Sequence, residues 1–404
     1  MLRGRTGWGM DPEIPHVYYV LLTGRFFNLM GNSLVFPFMT IYLATRLHTS
    51  LGIVGLVMAS YGGSQVISVL VGGVWSDRFG RRLVMLGSLL LGSIATFGLG
   101  LVHSSVMLVL FLCLMGFFLP LFQPASMAMV GDIIPRHRLN YAYSLMRMAS
   151  NAGIIIGPMI GGLLADRSFF WIFALDALSM ILFSLVIFLS VPESRPNPGI
   201  HAKMTGHLYD VLQDRMFLRF SGLWALTSLV YSQLFMVLPA YLHINLRYPP
   251  STFGFLAAEN AVLVVLLQIP ITRYTRKIPY LALMALGVLL YACGFWFMLS
   301  GHSIVIFALA IFIITLGENT INPATSAWVA EKAPENVRGR YMGMFSVSNR
   351  IGAALGPLIG GLLLSQSPKW WLISTGLLAL IAAQGYWRFH RQHHTSRTLP
   401  TFVN

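Results

Sequence analysis

The chain has 404 residues, 56% of them hydrophobic and only 10% charged. That balance excludes a soluble globular domain and predicts an all-α, polytopic membrane protein. A net charge of +14 would suit a nucleic-acid partner if it were spread over one surface, but its distribution along the chain argues against one.

Apolar runs long enough to cross a bilayer, about 20 residues each, are predicted near 17–45, 51–75, 83–102, 105–131, 141–165 and 168–191. A second set is predicted near 217–243, 252–272, 279–300, 303–331, 340–366 and 369–388. Twelve transmembrane helices thus fall into two sets of six. The expected division is an N-terminal bundle over 1–191, a cytoplasmic linker over 192–216 and a C-terminal bundle with a basic tail over 217–404. The linker carries Pro192, Pro196, Pro198, Gly199 and mixed charges, as a solvated connection does. Most Lys and Arg fall in one alternate set of loops and in the termini. Arg46, Arg167, Arg247 and Lys369 fall in the other set, and Arg25, Arg147 and Arg350 lie inside apolar spans. By the positive-inside rule both termini are cytoplasmic. The first apolar run is too long for a cleaved leader, and more spans follow it directly.

Cys113 and Cys293 lie far apart within apolar runs and support neither a disulfide nor a metal site. His390, His393 and His394 read as a solvated cytoplasmic end rather than a metal-binding tail. No nucleophile–base pair and no phosphate-cradling spacing is present. Neither enzymatic activity, nor a cofactor, nor a metal is expected.

The densest polar stretch between two spans is Gly73-Val74-Trp75-Ser76-Asp77-Arg78-Phe79-Gly80-Arg81-Arg82. One acid and a group of arginines cannot lie in hydrocarbon, so this is a short aqueous hairpin. Gly73 and Gly80 allow a sharp turn, and Asp77 is placed to cap or face a helix N-terminus. The chain also repeats itself. A shift of 199 positions sets Phe122-Gln123-Pro124-Ala125 on Ile321-Asn322-Pro323-Ala324. The same shift sets Gly153, Gly157, Pro158, Gly161 and Gly162 on Gly352, Gly356, Pro357, Gly360 and Gly361. Glycines at this spacing let a neighbouring helix approach closely, and Pro158 removes a backbone donor.

A charge at mid-bilayer costs roughly 2.5–3.5 kcal/mol, so buried acids need partners or a wet cavity. Glu318 is followed by Asn319, Asn322 and Pro323, a polar face with a break in it. It is the first candidate for an acid that binds a proton from one side and a cationic substrate from the other. Glu259, with Asn260 and Gln268 at helical spacing, is the second, and Asp176 the third. Ion pairing that fixes helix packing is the alternative for each, with Arg25, Arg147 and Arg350 as internal basic partners.

The spacing Gly-x-x-x-Asp-Arg-x-Gly-Arg-Arg resembles the signature loop between helices 2 and 3 of the major facilitator superfamily. The Gly153–Gly162 stretch resembles the helix 5 signature of its drug/proton antiporter branch. Val35-Phe36-Pro37, Phe122-Gln123-Pro124 and Ala257-Ala258-Glu259-Asn260 are similar to patches in bacterial multidrug exporters. The resemblance covers essentially the whole chain and implies two pseudo-symmetric six-helix bundles in the bacterial cytoplasmic membrane. It implies a monomer that exports lipophilic or cationic small molecules in exchange for protons, among membrane lipids and without nucleic acid.

The resemblance further implies that Arg78 or Arg81 pairs with Asp132, while Asp77 meets helix 11 near Arg338-Gly339-Arg340. Phe36, Phe122, Gln123, Tyr231, Gln233 and Phe235 would line the substrate cavity. One departure stands out: the branch's usual helix 4 arginine is replaced by Leu112, which weakens the expectation of proton coupling. A narrow-substrate metabolite, sugar or lysolipid transporter remains the alternative within transport. A non-transporting sensor or scaffold is the alternative outside it.

Overall fold

The computed structural model describes residues 14–194, 213–332 and 338–395. Those residues form helices joined by short connections, and no strand occurs among them. Backbone polar groups in hydrocarbon must be satisfied within the segment, which is why apolar runs of this length become helices. The N-terminal six are α1 (His16–Leu47), α2 (Leu51–Phe79), α3 (Arg81–Leu101), α4 (Ser105–Ile133), α5 (Tyr141–Ala165) and α6 (Phe169–Ser190). The next five are α7 (Arg215–Asn245), α8 (Pro250–Thr275), α9 (Tyr280–Ser300), α10 (Ile304–Val329) and α11 (Tyr341–Gln366). The last is α12 (Pro368–Thr395). Eleven of the twelve are long and apolar enough to cross a membrane. In α12 the apolar stretch is thinned by Lys369, Trp370, Trp371, Gln384 and Tyr386.

Prolines break three helices. Pro37 sits in a 3₁₀ turn of α1 (Phe36–Phe38), Pro120 in a 3₁₀ turn of α4 (Leu119–Leu121), and Pro239 just before a π-turn of α7 (Tyr241–Asn245). A proline lacks the N–H that would continue the ladder. By contrast, α5, α8, α10 and α11 run on through Pro158, Pro270, Pro323 and Pro357.

The packing shows the repeat that the sequence implied. In the first six helices α1 packs on α5 and α6, α2 on α4, and α3 on α4 and α6. In the second six α7 packs on α11 and α12, α8 on α10, and α9 on α10 and α12. Adding six to each number of the first set gives the second. Across the two sets α2 packs on α11 and α5 on α8, a pair related by the same rule.

The glycine motifs explain these contacts. A Cβ at Gly153, Gly157 or Gly161 would strike the α1 backbone or side chains between Phe26 and Phe38, whereas one at Gly162 would strike Pro250, Ser251 and Gly254 of α8. In the second half Gly352, Gly356 and Gly360 face α7, and Gly361 faces Leu51 and Gly55 of α2. So three glycines hold each helix inside its half and the fourth joins the halves. Close backbone approach of this kind is how membrane helices gain packing energy where no hydrophobic drive exists.

The joined parts of α2 and α11 run from Gly52 against Leu362 to Gly62 against Ala354. At the opposite ends of the same two helices, a Cβ at Gly73 or Gly343 would meet nothing within 4 Å. The halves therefore meet at the end carrying Leu51 and Pro250 and separate toward the end carrying Gly73–Arg82. That stretch is not the expected hairpin turning at Gly73: α2 stays helical through Gly73 to Phe79, and the turn is made at Gly80 alone.

Candidate transport site and gates

On α10 the Glu318 carboxylate is half-buried and faces α8. Its Oε2 accepts a hydrogen bond from Asn260 Nδ2 at 3.0 Å, and its Oε1 accepts from Asn322 Nδ2 at 3.4 Å. The Tyr231 hydroxyl of α7 stands beside the same carboxylate. Asn260 also donates to Thr315 Oγ1 at 2.8 Å, which fixes its amide toward Glu318. Tyr231 stacks on Tyr291 with ring centroids 5.6 Å apart, and Phe235 lies 5.5 Å from Tyr231 on its other flank. Three helices thus converge on one acid, walled by aromatic rings and supplied with donors that favour a charged or hydrogen-bonded ligand.

The other acids are placed elsewhere. Glu259 is half-buried on α8. It precedes Asn260, and a one-residue step turns about 100° around a helix, so the two face different ways. Asn319 is buried, its side-chain amide has no hydrogen-bond partner among the described residues, and its carbonyl accepts from Gln268 Nε2 at 3.1 Å. Asp176 on α6 is 1% exposed against Gly31 of α1, and neither carboxylate oxygen has a hydrogen-bond partner among the described residues.

A second polar group lines a cavity of about 120 Å³ between the halves. Arg25, Asn28 and Asn32 come from α1, Gln65 from α2, Gln123 from α4 and Arg350 from α11. Arg25 Nε donates to Ser150 Oγ at 2.9 Å, and Arg350 Nη1 donates to Gln65 Oε1 at 3.4 Å. Among the described residues neither arginine pairs with an acid, which corrects the expectation of internal ion pairs. Arg147 is exposed rather than buried, because one step from the buried Met146 turns its side chain about 100° around α5.

Of the expected cavity side chains, Phe122 and Gln123 line this space, and Phe36 packs on Tyr61 with centroids 6.1 Å apart. Gln233 does not face it. That side chain is fully buried, and its Oε1 accepts from Trp371 Nε1 at 2.5 Å and Thr375 Oγ1 at 3.0 Å, both on α12. Two residues beyond Tyr231 is about 200° around the helix, which turns Gln233 into the packing of α7 on α12. Leu112 is likewise core, fully buried four residues before Gly116.

At the separated end Arg81 is the organising side chain. It is 8% exposed, hydrogen-bonds Ser76 Oγ at 3.0 Å, pairs with Asp77 and reaches Asp132 Oδ2 at 3.5 Å. Arg78 instead lies over the Phe79 ring, 5.5 Å from its centroid. At the start of α3 the capping carboxylate is that of Glu193, whose oxygens accept from the N–H groups of Arg82 (3.1 Å) and Leu83 (3.4 Å). Helix dipole and free donors both favour an acid there. Gly80 has φ of 100°, a conformation that side chains disfavour. The side chains of Arg338 and Arg340, proposed to meet Asp77, lie outside the described residues. At the joined end Asp166 Oδ1 accepts from the Ser251 N–H at 3.0 Å, capping α8 from the other half.

A family model described as "Major Facilitator Superfamily" matches residues 21–249 and 223–402. The chain belongs to the major facilitator superfamily. The superfamily is one of transporters rather than enzymes, and this member is integral to a membrane. The chain is similar to multidrug resistance protein 1 of Bacillus subtilis, 29% identical over 85% of this chain and 88% of that one. It is similar to a Na(+), Li(+), K(+)/H(+) antiporter of Planococcus maritimus, 26% identical over 92% and 95% of the two chains. Its fold matches the crystal structure of a POT family transporter in complex with a thioalcohol-conjugated peptide, with a TM-score of 0.78. That match is 19% identical and covers 94% of this chain and 96% of that one.

Within this superfamily member the sequence reading missed Glu193, Asp166 and Gln65. Glu193 and Asp166 act through backbone N–H groups of distant helices, which no local spacing announces. The cavity stripe was more accessible, because Arg25, Asn28 and Asn32 recur at i, i+3 and i+7 on one face of an otherwise apolar helix.

Proposed function

We propose that this transporter exports lipophilic, cationic small molecules from the bacterial cytoplasm in exchange for protons, as a monomer with both termini cytoplasmic. The observation that carries the reading is the Glu318 site. One carboxylate, held by Asn260 and Asn322 beside Tyr231, between Tyr291 and Phe235, can bind a proton or an organic cation but not both at once. Exclusive occupancy of one site is what couples two opposed fluxes. The aromatic walls suit varied apolar cations. The names of the relatives, a multidrug resistance protein and a cation/proton antiporter, support the same reading.

Exchange follows from rocking of the two halves about the mid-membrane site. The glycine seams of α2 with α11 and of α5 with α8 close one end, while at the separated end Arg81 and Asp132 tie α3 to α4 within the first half. A one-for-one exchange of a monovalent cation for a proton moves no net charge, so its drive is the pH difference alone: each pH unit is worth about 1.4 kcal/mol and sustains about a tenfold substrate gradient.

A second reading has its own observation. Arg25 and Arg350, both without an acidic partner among the described residues, face one cavity with Asn28, Asn32, Gln65 and Gln123. That set suits the carboxylate or phosphate of a narrow-substrate metabolite. The test is collapse of a pH gradient in inside-out vesicles on adding lipophilic cations, neutral drugs or organic anions, with Glu318→Gln beside wild type. Cation-dependent proton release that disappears in Glu318→Gln is the expected result. Release that survives moves coupling to Glu259 or Asp176, and release with anions alone establishes the second reading.

A further inference from the structure

On the outer surface of the second half, α9 and α12 leave an apolar groove of about 700 Å³ between Ala285, Leu289, Leu377, Ile381, Gln384 and Trp387. Small side chains at Ala285 and Ala282 make room, and the flanking Leu377 and Ile381 are about half exposed. In a membrane protein such a surface meets lipid by default, so the groove alone identifies no ligand. What sets it apart is the order of side chains along one face of α12.

Leu377, Ile381, Gln384, Arg388 and Arg391 succeed one another at steps of four, three, four and three, which is one stripe of an α-helix. Read along that stripe, polarity rises from alkyl to amide to guanidinium. The Arg391 guanidinium carbon stands 5.5 Å over the ring of Trp387, which itself lines the groove. Arg388 is exposed, and so are Arg276 and Lys277 in the connection leading into α9 at the same end. Among the described residues the acids at this end of the second half are Asp214 and Glu331. Asp214 caps α7 by accepting from the Phe217 N–H at 2.9 Å, and it also accepts from the Tyr341 hydroxyl at 3.0 Å.

We propose that the α9–α12 groove is a specific site for one anionic phospholipid. An acyl chain lies along Leu377 and Ile381, Gln384 donates to a glycerol ester carbonyl, and Arg388 and Arg391 hold the phosphate. The groove supplies apolar, hydrogen-bonding and cationic surface in the order in which a phospholipid presents its parts, and Trp387 sits at the level of an interfacial aromatic. Charge complementarity selects an anionic headgroup over a zwitterionic one, because basic side chains at a membrane surface each favour anionic lipid.

The test is native mass spectrometry of the full chain, extracted in detergent and offered equal phosphatidylglycerol and phosphatidylcholine. Wild type is expected to retain phosphatidylglycerol preferentially, and Arg388→Gln with Arg391→Gln to lower that preference about fivefold per arginine. Ala285→Trp is expected to expel both lipids by filling the groove. Ile381→Trp, at a surface position that burdens no packing, does the same work if Ala285→Trp does not fold. Equal retention of the two lipids by wild type, or a preference that survives the double substitution, overturns the site. A dimer mass that Ile381→Trp abolishes would overturn it too, by making the groove a contact between two copies of the chain.

Discussion

Replacing Gly162 by alanine tests whether the glycine seam sets the conformational equilibrium. A Cβ at Gly162 would stand 2.8 Å from Ser251 Cα, 3.1 Å from the Pro250 carbonyl oxygen and 3.3 Å from Gly254 Cα. All three are backbone atoms at the start of α8, so no flexible side chain can yield. Overpacking of this kind costs about 1–3 kcal/mol, and here the cost falls only on the state in which α5 and α8 touch. At 1.4 kcal/mol per tenfold, the population should shift roughly 5- to 150-fold toward the state open at the Leu51 end. Spin labels at Arg167 and Arg247, on the two halves at that end, report the change by double electron–electron resonance. Labels at Phe79 and Tyr274 report the opposite end. The first pair should lengthen and the second shorten. Gly63→Ala is the control, because a Cβ there meets nothing within 4 Å. Unchanged distances in a folded Gly162→Ala protein, or equal shifts in the control, would refute the reasoning.

The two glycines of the signature loop should separate cleanly. Gly80→Ala meets both a φ of 100° and the Glu193 carboxyl carbon at 2.7 Å, and should lower stability by about 1–3 kcal/mol in thermal unfolding; Gly73→Ala, with open space around it, should be neutral. Equal melting temperatures for the two would contradict the geometry. Arg81→Ala should cost about 1–3 kcal/mol through loss of its bonds to Ser76, Asp77 and Asp132, whereas Arg78→Ala should stay within about 0.5 kcal/mol. Asp176→Asn should leave the melting temperature unchanged or higher, since no described group holds that carboxylate. A fall of several degrees would reveal a cationic partner.

Residue spacing made the helices and the repeat legible for a physical reason. The bilayer imposes length and polarity on each span, and the 199-residue shift of the glycine motifs carries straight into the α5–α8 and α2–α11 seams. Residue type was legible at Glu318, whose neighbours Asn260 and Asn322 were visible as polar residues on apolar helices. What could not be read was facing. Gln233 and Tyr231 look equivalent in a list of residues on α7, yet two steps separate a buried packing bond to Trp371 from the acid site. Arg147 was lost the same way. Capping partners were invisible for a different reason, because Glu193 and Asp166 meet N–H groups that every sequence possesses.

The two halves share one packing plan but not one charge plan, and that difference is what a symmetric scaffold needs in order to do directional work. Around the first half's cavity stand Arg25, Asn28, Asn32, Gln65 and Gln123, joined by Arg350 from the second. Around the second half's acid stand Asn260, Asn322, Tyr231 and Tyr291. On the proposed mechanism a cation entering between them would be repelled by one wall and held by the other, so its binding would be confined to Glu318. Protonation of that carboxylate removes the attraction and leaves the repulsion, which favours departure. The same two walls act oppositely on an anion. Substrate charge is therefore the property on which the two readings of this transporter divide, and the pair Glu318→Gln and Arg350→Gln separates them. Loss of cation transport in the first variant with retention in the second is the outcome that the Glu318 site predicts.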